Sequence, residues 1–129
     1  MYIVFLPRIM KKEILIIDDE KSIRLTVKEF LSKEGYEVST ANGYCEALDI
    51  MAKGYFDLIF ADVMLEGKTG LDILREAKKQ NPACPVVLFT GYPNVESESE
   101  AFRLGAADYV SKPLTKDKLL HMVNMALHN

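Results

Sequence analysis

Five side chains in this sequence could together handle phosphorus chemistry: Asp18, Asp19, Asp62, Thr90 and Lys112. Each stands at or just past a short apolar run: Asp18 and Asp19 behind ILII, Asp62 behind LIFA, Thr90 at the end of VVLF, and Lys112 behind YVS. Taken singly, each has an ordinary role. Asp18 and Asp19 can cap a following helix, Asp62 can be a turn residue, Thr90 can pack by its methyl group, and Lys112 can be a solvated lysine. The case for chemistry rests on convergence. Three carboxylates and one ammonium in a single shallow pocket leave the carboxylates repelling one another in a partly dehydrated place, and a divalent cation relieves that. Only oxygen donors are on offer, with no His or Cys nearby, which selects a hard ion such as Mg²⁺ that keeps some waters and also takes phosphate oxygens. An Asp carboxylate beside such an ion can attack phosphorus and form an aspartyl phosphate. Lys112 would balance the added charge, and the Thr90 hydroxyl could donate to a phosphoryl oxygen.

The five groups meet only if the chain folds those runs into one sheet. Strands are predicted near Glu13 to Ile17, Glu37 to Thr40, Asp57 to Ala61, Val86 to Thr90 and Asp108 to Ser111, alternating with five amphipathic stretches. That alternation predicts a parallel sheet covered by helices on both faces, an α/β unit of the (βα)5 kind. Continuously apolar runs suit strands buried on both sides. The first helix carries Ile23, Val27, Phe30 and Leu31 at helical spacing and ends at Gly35. The second runs from about Tyr44 to Lys53, with Asn42 as its predicted cap in front and Gly54 behind. The third follows Gly70 and stops near Asn81 and Pro82, and the fifth begins after Thr115 with Leu114 and Leu119 placed as a hydrophobic staple. The fourth, Val95 to Leu104, has only Val95, Ala101, Phe102 and Leu104 to bury among its glutamates and serines, so it is predicted to be the least firmly held. In such open sheets ligands bind outside the carboxyl ends of the strands, where strand order reverses.

A chain of 129 residues can close one ordinary core but not a core plus an independent effector module. With 49% apolar residues, 27% charged residues and a net charge of -3, it reads as a soluble globular protein without the basic stripe that nucleic-acid binding asks for. Cys45 and Cys84 read as unpaired thiols, which fits a cytoplasmic protein. Residues 1–10 are expected to be an extension preceding a domain over 11–129. The apolar Met1 to Ile9 lacks a basic lead and a cleavage site and is too short for a span, so neither signal peptide nor anchor is expected, and Met10 offers an alternative start.

Four segments in order, IIDDE, DLIFADVMLEGKTGLDIL, PVVLFTGYP and GAADYVSKP, resemble the receiver domain of bacterial two-component response regulators, over the range from Lys12 to about Leu127. The resemblance implies a flavodoxin-like fold with strand order 2-1-3-4-5, an order the general description of this fold gives for a chemotaxis receiver. It implies that Asp62 is the phosphoacceptor, that Asp18, Asp19, Asp62 and the backbone carbonyl of Met64 hold Mg²⁺, and that Lys112 precedes a proline whose peptide bond is usually cis. Thr90 and Tyr109 are then the switch pair, and Gly70 matches the family glycine before the third helix. Met64 and Tyr92 occupy the positions that tune self-dephosphorylation, with the Tyr92 ring expected to cover the site. Glu66 stands where the family usually has proline, which bears on the loop after Asp62. The implied partners are a sensor histidine kinase or phosphotransfer protein and a phosphorylation-dependent homodimer, with no membrane and no direct nucleic-acid contact. The implied role is a signalling switch, catalysing only its own phosphorylation and dephosphorylation. Thr90 to Pro113 is similar to receivers found in front of AAA+ transcription activators, so an excised domain and a stand-alone regulator both stay open. A haloacid-dehalogenase-type phosphatase also uses an Asp after a strand, Mg²⁺ and a Lys, but wants a second Asp where this chain has Met64. A receiver fold serving only as an unphosphorylated interaction module is the third reading.

Overall fold

The computed structural model describes residues 11–128, so the expectations for residues 1–10 lie outside the described residues. Five strands, β1 (Glu13–Ile17), β2 (Glu37–Ala41), β3 (Leu58–Asp62), β4 (Val86–Thr90) and β5 (Asp108–Ser111), form one sheet in the order β2-β1-β3-β4-β5, every neighbouring pair parallel. Five helices alternate with them: α1 (Lys21–Lys33), α2 (Tyr44–Lys53), α3 (Gly70–Gln80), α4 (Val95–Arg103) and α5 (Lys116–Leu127). This is the predicted flavodoxin-like (βα)5 architecture. Two strands are offset from expectation. β2 runs one residue further, to Ala41, and β3 begins and ends one later, because Ile17 pairs with both Ala41 and Ala61 and Asp62 still pairs with Phe89.

The sheet separates two apolar layers by the alternation of its side chains. Leu15, Ile17, Ile59, Ala61, Val86 and Leu88 face α2 and α3 (Ala47, Met51, Ile73, Leu74, Ala77) together with Ala101 of α4. Ile14, Ile16, Leu58, Phe60, Val87 and Phe89 face α1 and α5 (Val27, Leu31, Leu119, Met122, Val123). Central strands covered on both faces need apolar residues at every position, and all of Ile14 to Ile17, Leu58 to Ala61 and Val86 to Phe89 are buried. Burying each large side chain contributes on the order of 2 kcal/mol, which makes the sheet a firm platform for the loops at its carboxyl edge.

Helix ends differ in detail from the sequence reading. α1 is preceded by Glu20 rather than capped by Asp18 or Asp19. It closes where predicted, with Gly35 at φ +95° and the Tyr36 N–H donating to the Leu31 carbonyl at 3.1 Å. Asn42 does not cap α2: Gly43 occupies that position, and the Glu46 carboxylate instead reaches back to accept the Asn42 N–H at 2.6 Å. Gly54 does end α2, but in an extended conformation. α3 opens on Thr69, whose N–H (2.9 Å) and hydroxyl (3.2 Å) both donate to the Asp72 carboxylate. α4 ends one residue early, at Arg103, and of the four apolar residues expected to pack only Ala101 is buried: Val95 and Phe102 are exposed, and Leu104, just past the helix, is half-buried.

Candidate functional site

Ile17 pairs with Ala61, so Asp18 and Asp62 leave adjacent strands at the same level. β1 and β3 are also where the strand order reverses, since β2 lies on the other side of β1. Lys112 arrives from the end of β5, its own N–H donating to the Thr90 carbonyl at 2.7 Å. The peptide bond between Lys112 and Pro113 is cis. The Lys112 ammonium lies over the face of Phe89, 5.3 Å from the ring centre, 2.7 Å from Asp62 Oδ2 and 3.1 Å from Asp18 Oδ2. Phe89 is held edge-to-face against Phe60 at 6.1 Å. A buried aromatic pair thus underlies the ammonium that the two buried carboxylates share.

Asp18 is wholly buried and Asp62 is 3% exposed, whereas Asp19 is exposed at the rim. One carboxylate oxygen from each can be found within 4.8 Å of the others. Asp18 Oδ1 accepts the Glu20 N–H at 2.7 Å, and Asp62 Oδ1 accepts the Met64 N–H at 2.9 Å. Asp18 Oδ2 is buried, and among the described residues the Lys112 ammonium, 3.1 Å away, is what answers its charge. Burial, aided by the neighbouring charge of Asp62, pushes the Asp18 carboxyl up to about 6, against the opposing pull of the Glu20 N–H and Lys112. For Lys112 burial acts downward, but the two carboxylates outweigh it and its pKa is raised. The pocket therefore holds two dehydrated carboxyls sharing one ammonium, with a third carboxylate at the rim. An all-oxygen donor set with more carboxylates than cations is what a hard divalent ion fits.

Thr90 is buried, and its Oγ1 accepts the Tyr92 N–H at 3.0 Å, leaving its own O–H free to donate elsewhere. The Met64 backbone is at the pocket through its N–H, while the side chain is 56% exposed. Tyr92 is 77% exposed. Its backbone N–H, the donor to Thr90 Oγ1, is what ties it to the site. Tyr109 is half-buried, and its hydroxyl is engaged by Asn94 and Ser97 at the start of α4. Gly70 is close-packed against the loop that follows Asp62, where a side-chain carbon would collide with the Asp62 carbonyl and crowd Val63 Cα. With Glu66 in the family's proline position, that loop still turns, through Gly67 at φ +80° and a Met64–Thr69 bridge.

Two residues at the site had not been singled out by sequence. Arg24 donates from Nη1 to the Asp18 carbonyl at 2.7 Å, and Glu20 lies 3.6 Å from Lys112. Glu20 was visible as the third acid of DDE. Arg24 gave no local signal, since its guanidinium reaches back over the first turn of α1.

The chain has counterparts among known proteins in sequence and fold. A model of the response regulator receiver domain matches residues 14–124. The uncharacterized transcriptional regulatory protein YkoG of Bacillus subtilis is 37% identical over 117 residues, covering 91% of this chain and 51% of that protein. The alginate biosynthesis transcriptional regulatory protein AlgB of Pseudomonas syringae is 41% identical over 106 residues, covering 82% of this chain and 24% of that protein. The chain thus spans about half the length of the one and a quarter of the other. Among solved structures, a receiver domain protein (CheY-like) from Methanospirillum hungatei superposes with a TM-score of 0.89 at 32% identity, covering 92% of this chain and 94% of that one. The receiver domain of NtrX from Brucella abortus does so with a TM-score of 0.83 at 40% identity, covering 90% and 98%.

Proposed function

The chain belongs to the response regulator receiver domain family, and on that premise we propose that it is a switch in which Asp62 takes a phosphoryl group from a phosphohistidine. The donor is a sensor histidine kinase or a phosphotransfer protein. The observation that carries this reading is the buried pair of carboxylates, Asp18 and Asp62, sharing Lys112 with Asp19 beside them. In the transfer, an Asp62 oxygen forms a bond to phosphorus as the bond from phosphorus to the histidine nitrogen breaks, and the departing imidazole keeps the electron pair. Asp18, Asp19, Asp62 and the Met64 carbonyl would hold Mg²⁺, which supplies neutralisation of phosphoryl oxygens.

The remaining work belongs to the chain itself. The Met64 N–H and the Lys112 ammonium orient the two Asp62 oxygens, and Lys112 offsets part of the roughly 1.5 to 2 negative charges the phosphoryl group adds. The Thr90 O–H donates to a phosphoryl oxygen. That draw on Thr90 is relayed to Tyr109, and the face formed by α4, β5 and α5 shifts between two packings. On this reading the changed face governs a phosphorylation-dependent homodimer or another output, the protein acts on no external substrate, and it works in the cytoplasm. Among the described residues no helix is long and apolar enough to cross a membrane. Control of transcription is the proposed output, as the names of YkoG and AlgB indicate for those proteins.

Acetyl phosphate with Mg²⁺ should add one phosphoryl group, read by intact mass, and Asp62→Asn should abolish it. A phosphoryl group mapped to any other residue would overturn the assignment.

A further inference from the structure

Away from the acidic pocket, a continuous hydrogen-bonded path joins Thr90 to Tyr109 through the loop that opens α4. Thr90 Oγ1 accepts the Tyr92 N–H at 3.0 Å, and the Tyr92 carbonyl accepts from Asn94 Nδ2 at 3.4 Å. The Asn94 N–H donates to the Tyr109 hydroxyl at 3.3 Å, and the same hydroxyl is hydrogen-bonded to Ser97 Oγ. Asn94 Oδ1 closes the circuit by accepting the Ser97 N–H at 2.8 Å, which is also the N-cap of α4. The atoms that start α4 and the atoms that hold the Tyr109 ring are therefore largely the same atoms.

We infer that Asn94 and Ser97 form a latch that holds Tyr109 at the start of α4 in the unphosphorylated protein and so sets how strongly a phosphoryl group is favoured at Asp62. The inference rests on the reading of Thr90 and Tyr109 as a switch pair. When the Thr90 hydroxyl turns toward a phosphoryl oxygen, its bond to the Tyr92 N–H is disturbed. Tyr92 carries Asn94 with it through the side-chain bond, the cap slackens, and the Tyr109 hydroxyl loses both partners. Neither Asn94 nor Ser97 touches the reacting atoms; both are positioning residues. By linkage, if an occupied site favours the unlatched state, a weaker latch favours occupation by the same factor. One neutral hydrogen bond corresponds to about fivefold.

The test measures the affinity of the Mg²⁺-loaded protein for beryllofluoride, a stable mimic of the phosphoryl group, by titration. Ser97→Ala should bind about fivefold tighter than the parent, Ser97→Thr, which keeps the hydroxyl, should restore parental affinity, and Ser97→Ala should have no effect in a Tyr109→Phe background. Unchanged affinity for Ser97→Ala, or an equal effect with and without the tyrosine hydroxyl, overturns the latch, because a serine acting only through helix stability would not need Tyr109. Hydrogen exchange at the Asn94 amide in the ligand-free protein separates this from failure of the acceptor reading. If the parent takes neither beryllofluoride nor a phosphoryl group, that reading falls. The hold on Tyr109 at the start of α4 is still upheld if Ser97→Ala speeds Asn94 exchange in the parent but not in a Tyr109→Phe background, and is overturned if it does not.

Discussion

Asp18 is where burial and charge oppose each other most directly. Its carboxyl is raised to about 6, so the folded protein holds this proton across a range in which the unfolded chain has released it. Stability is then greatest with Asp18 protonated and falls as pH rises from about 4 through about 6, by at most about 3 kcal/mol. Asp18→Asn should remove that loss, so the difference in unfolding free energy between variant and parent should grow over this window and level off above it. Urea unfolding from pH 4 to 7 checks it, and a difference independent of pH would contradict the assignment. The half-buried Asp72 and Glu100 carboxyls, held below their ordinary range by Thr69 and by Arg103 respectively, act in the opposite sense but cancel in the comparison. A second residue-scale consequence concerns how long the phosphoryl group persists. Hydrolysis needs a water held in line with phosphorus, and neither the Met64 thioether nor the solvent-facing Tyr92 offers the amide or acid that would orient one. Slow loss of label from the purified phosphoprotein is expected, with Met64→Asn combined with Tyr92→Glu accelerating it by about tenfold or more. A double variant decaying no faster than the parent would show that these two positions have no kinetic role.

At the scale of elements, the acceptor is held by a junction between a strand and a helix. Gly70 begins α3, yet it packs against the backbone that follows Asp62, and its N–H donates to the Val63 carbonyl at 2.9 Å. Gly70→Ala should therefore cost about 1 to 3 kcal/mol and also weaken Mg²⁺ binding, since the displaced backbone carries Asp62. Gly67→Ala makes the useful contrast. It has open space for a side chain but sits at φ +80°, so it should cost about 1 kcal/mol and leave metal affinity nearly untouched. Paired urea and Mg²⁺ titrations distinguish the two, and equal loss of affinity in both would argue against the contact. Elements were legible in the sequence to the extent that apolar burial determines them. ILII and LIFA read as strands covered on both faces and are so, whereas in α4 the apolar Val95 and Phe102 stay exposed and only Ala101 packs inward. Caps were less legible, because which residue takes the cap is settled by local dihedral angles. Gly43 stands where Asn42 was expected, and the Glu46 carboxylate accepts the Asn42 N–H. The opposite case, Asn94, does cap a helix, and its bonds to Tyr109 and Tyr92 depend on a loop path that no spacing rule describes.

For the whole molecule, the sheet joins a local electrostatic conflict to global stability. Asp18 and Asp62 were legible because each stands behind an apolar run, ILII and LIFA, that reads as a buried strand, and Lys112 because it stands behind YVS. The support that makes them a site comes from contacts distant in sequence: the Phe60–Phe89 pair beneath Lys112 and the Arg24 guanidinium on the Asp18 carbonyl. Such contacts are set by register between strands, which is why the sequence disclosed the charged residues but not what fixes them. The same register predicts a coupling across the molecule. An ion that binds only the assembled carboxylates must stabilise the fold by mass action, about 2.7 kcal/mol at a hundredfold excess over its Kd, or roughly 10 °C in Tm for a domain of this size. Asp19→Ala should bind Mg²⁺ less tightly and shrink that shift, yet its metal-free Tm should equal or exceed the parent's, since one charge has left a repulsive cluster while Asp19 itself is exposed. Thermal melts with and without Mg²⁺, repeated at pH 5 and pH 7.5, test both statements. The Mg²⁺ shift should be larger at pH 7.5, where Asp18 is ionised and its buried oxygen most needs a cation. A Mg²⁺ shift that survives Asp19→Ala at full size would remove Asp19 from the metal site, and a shift indifferent to pH would mean that the ion does not engage Asp18.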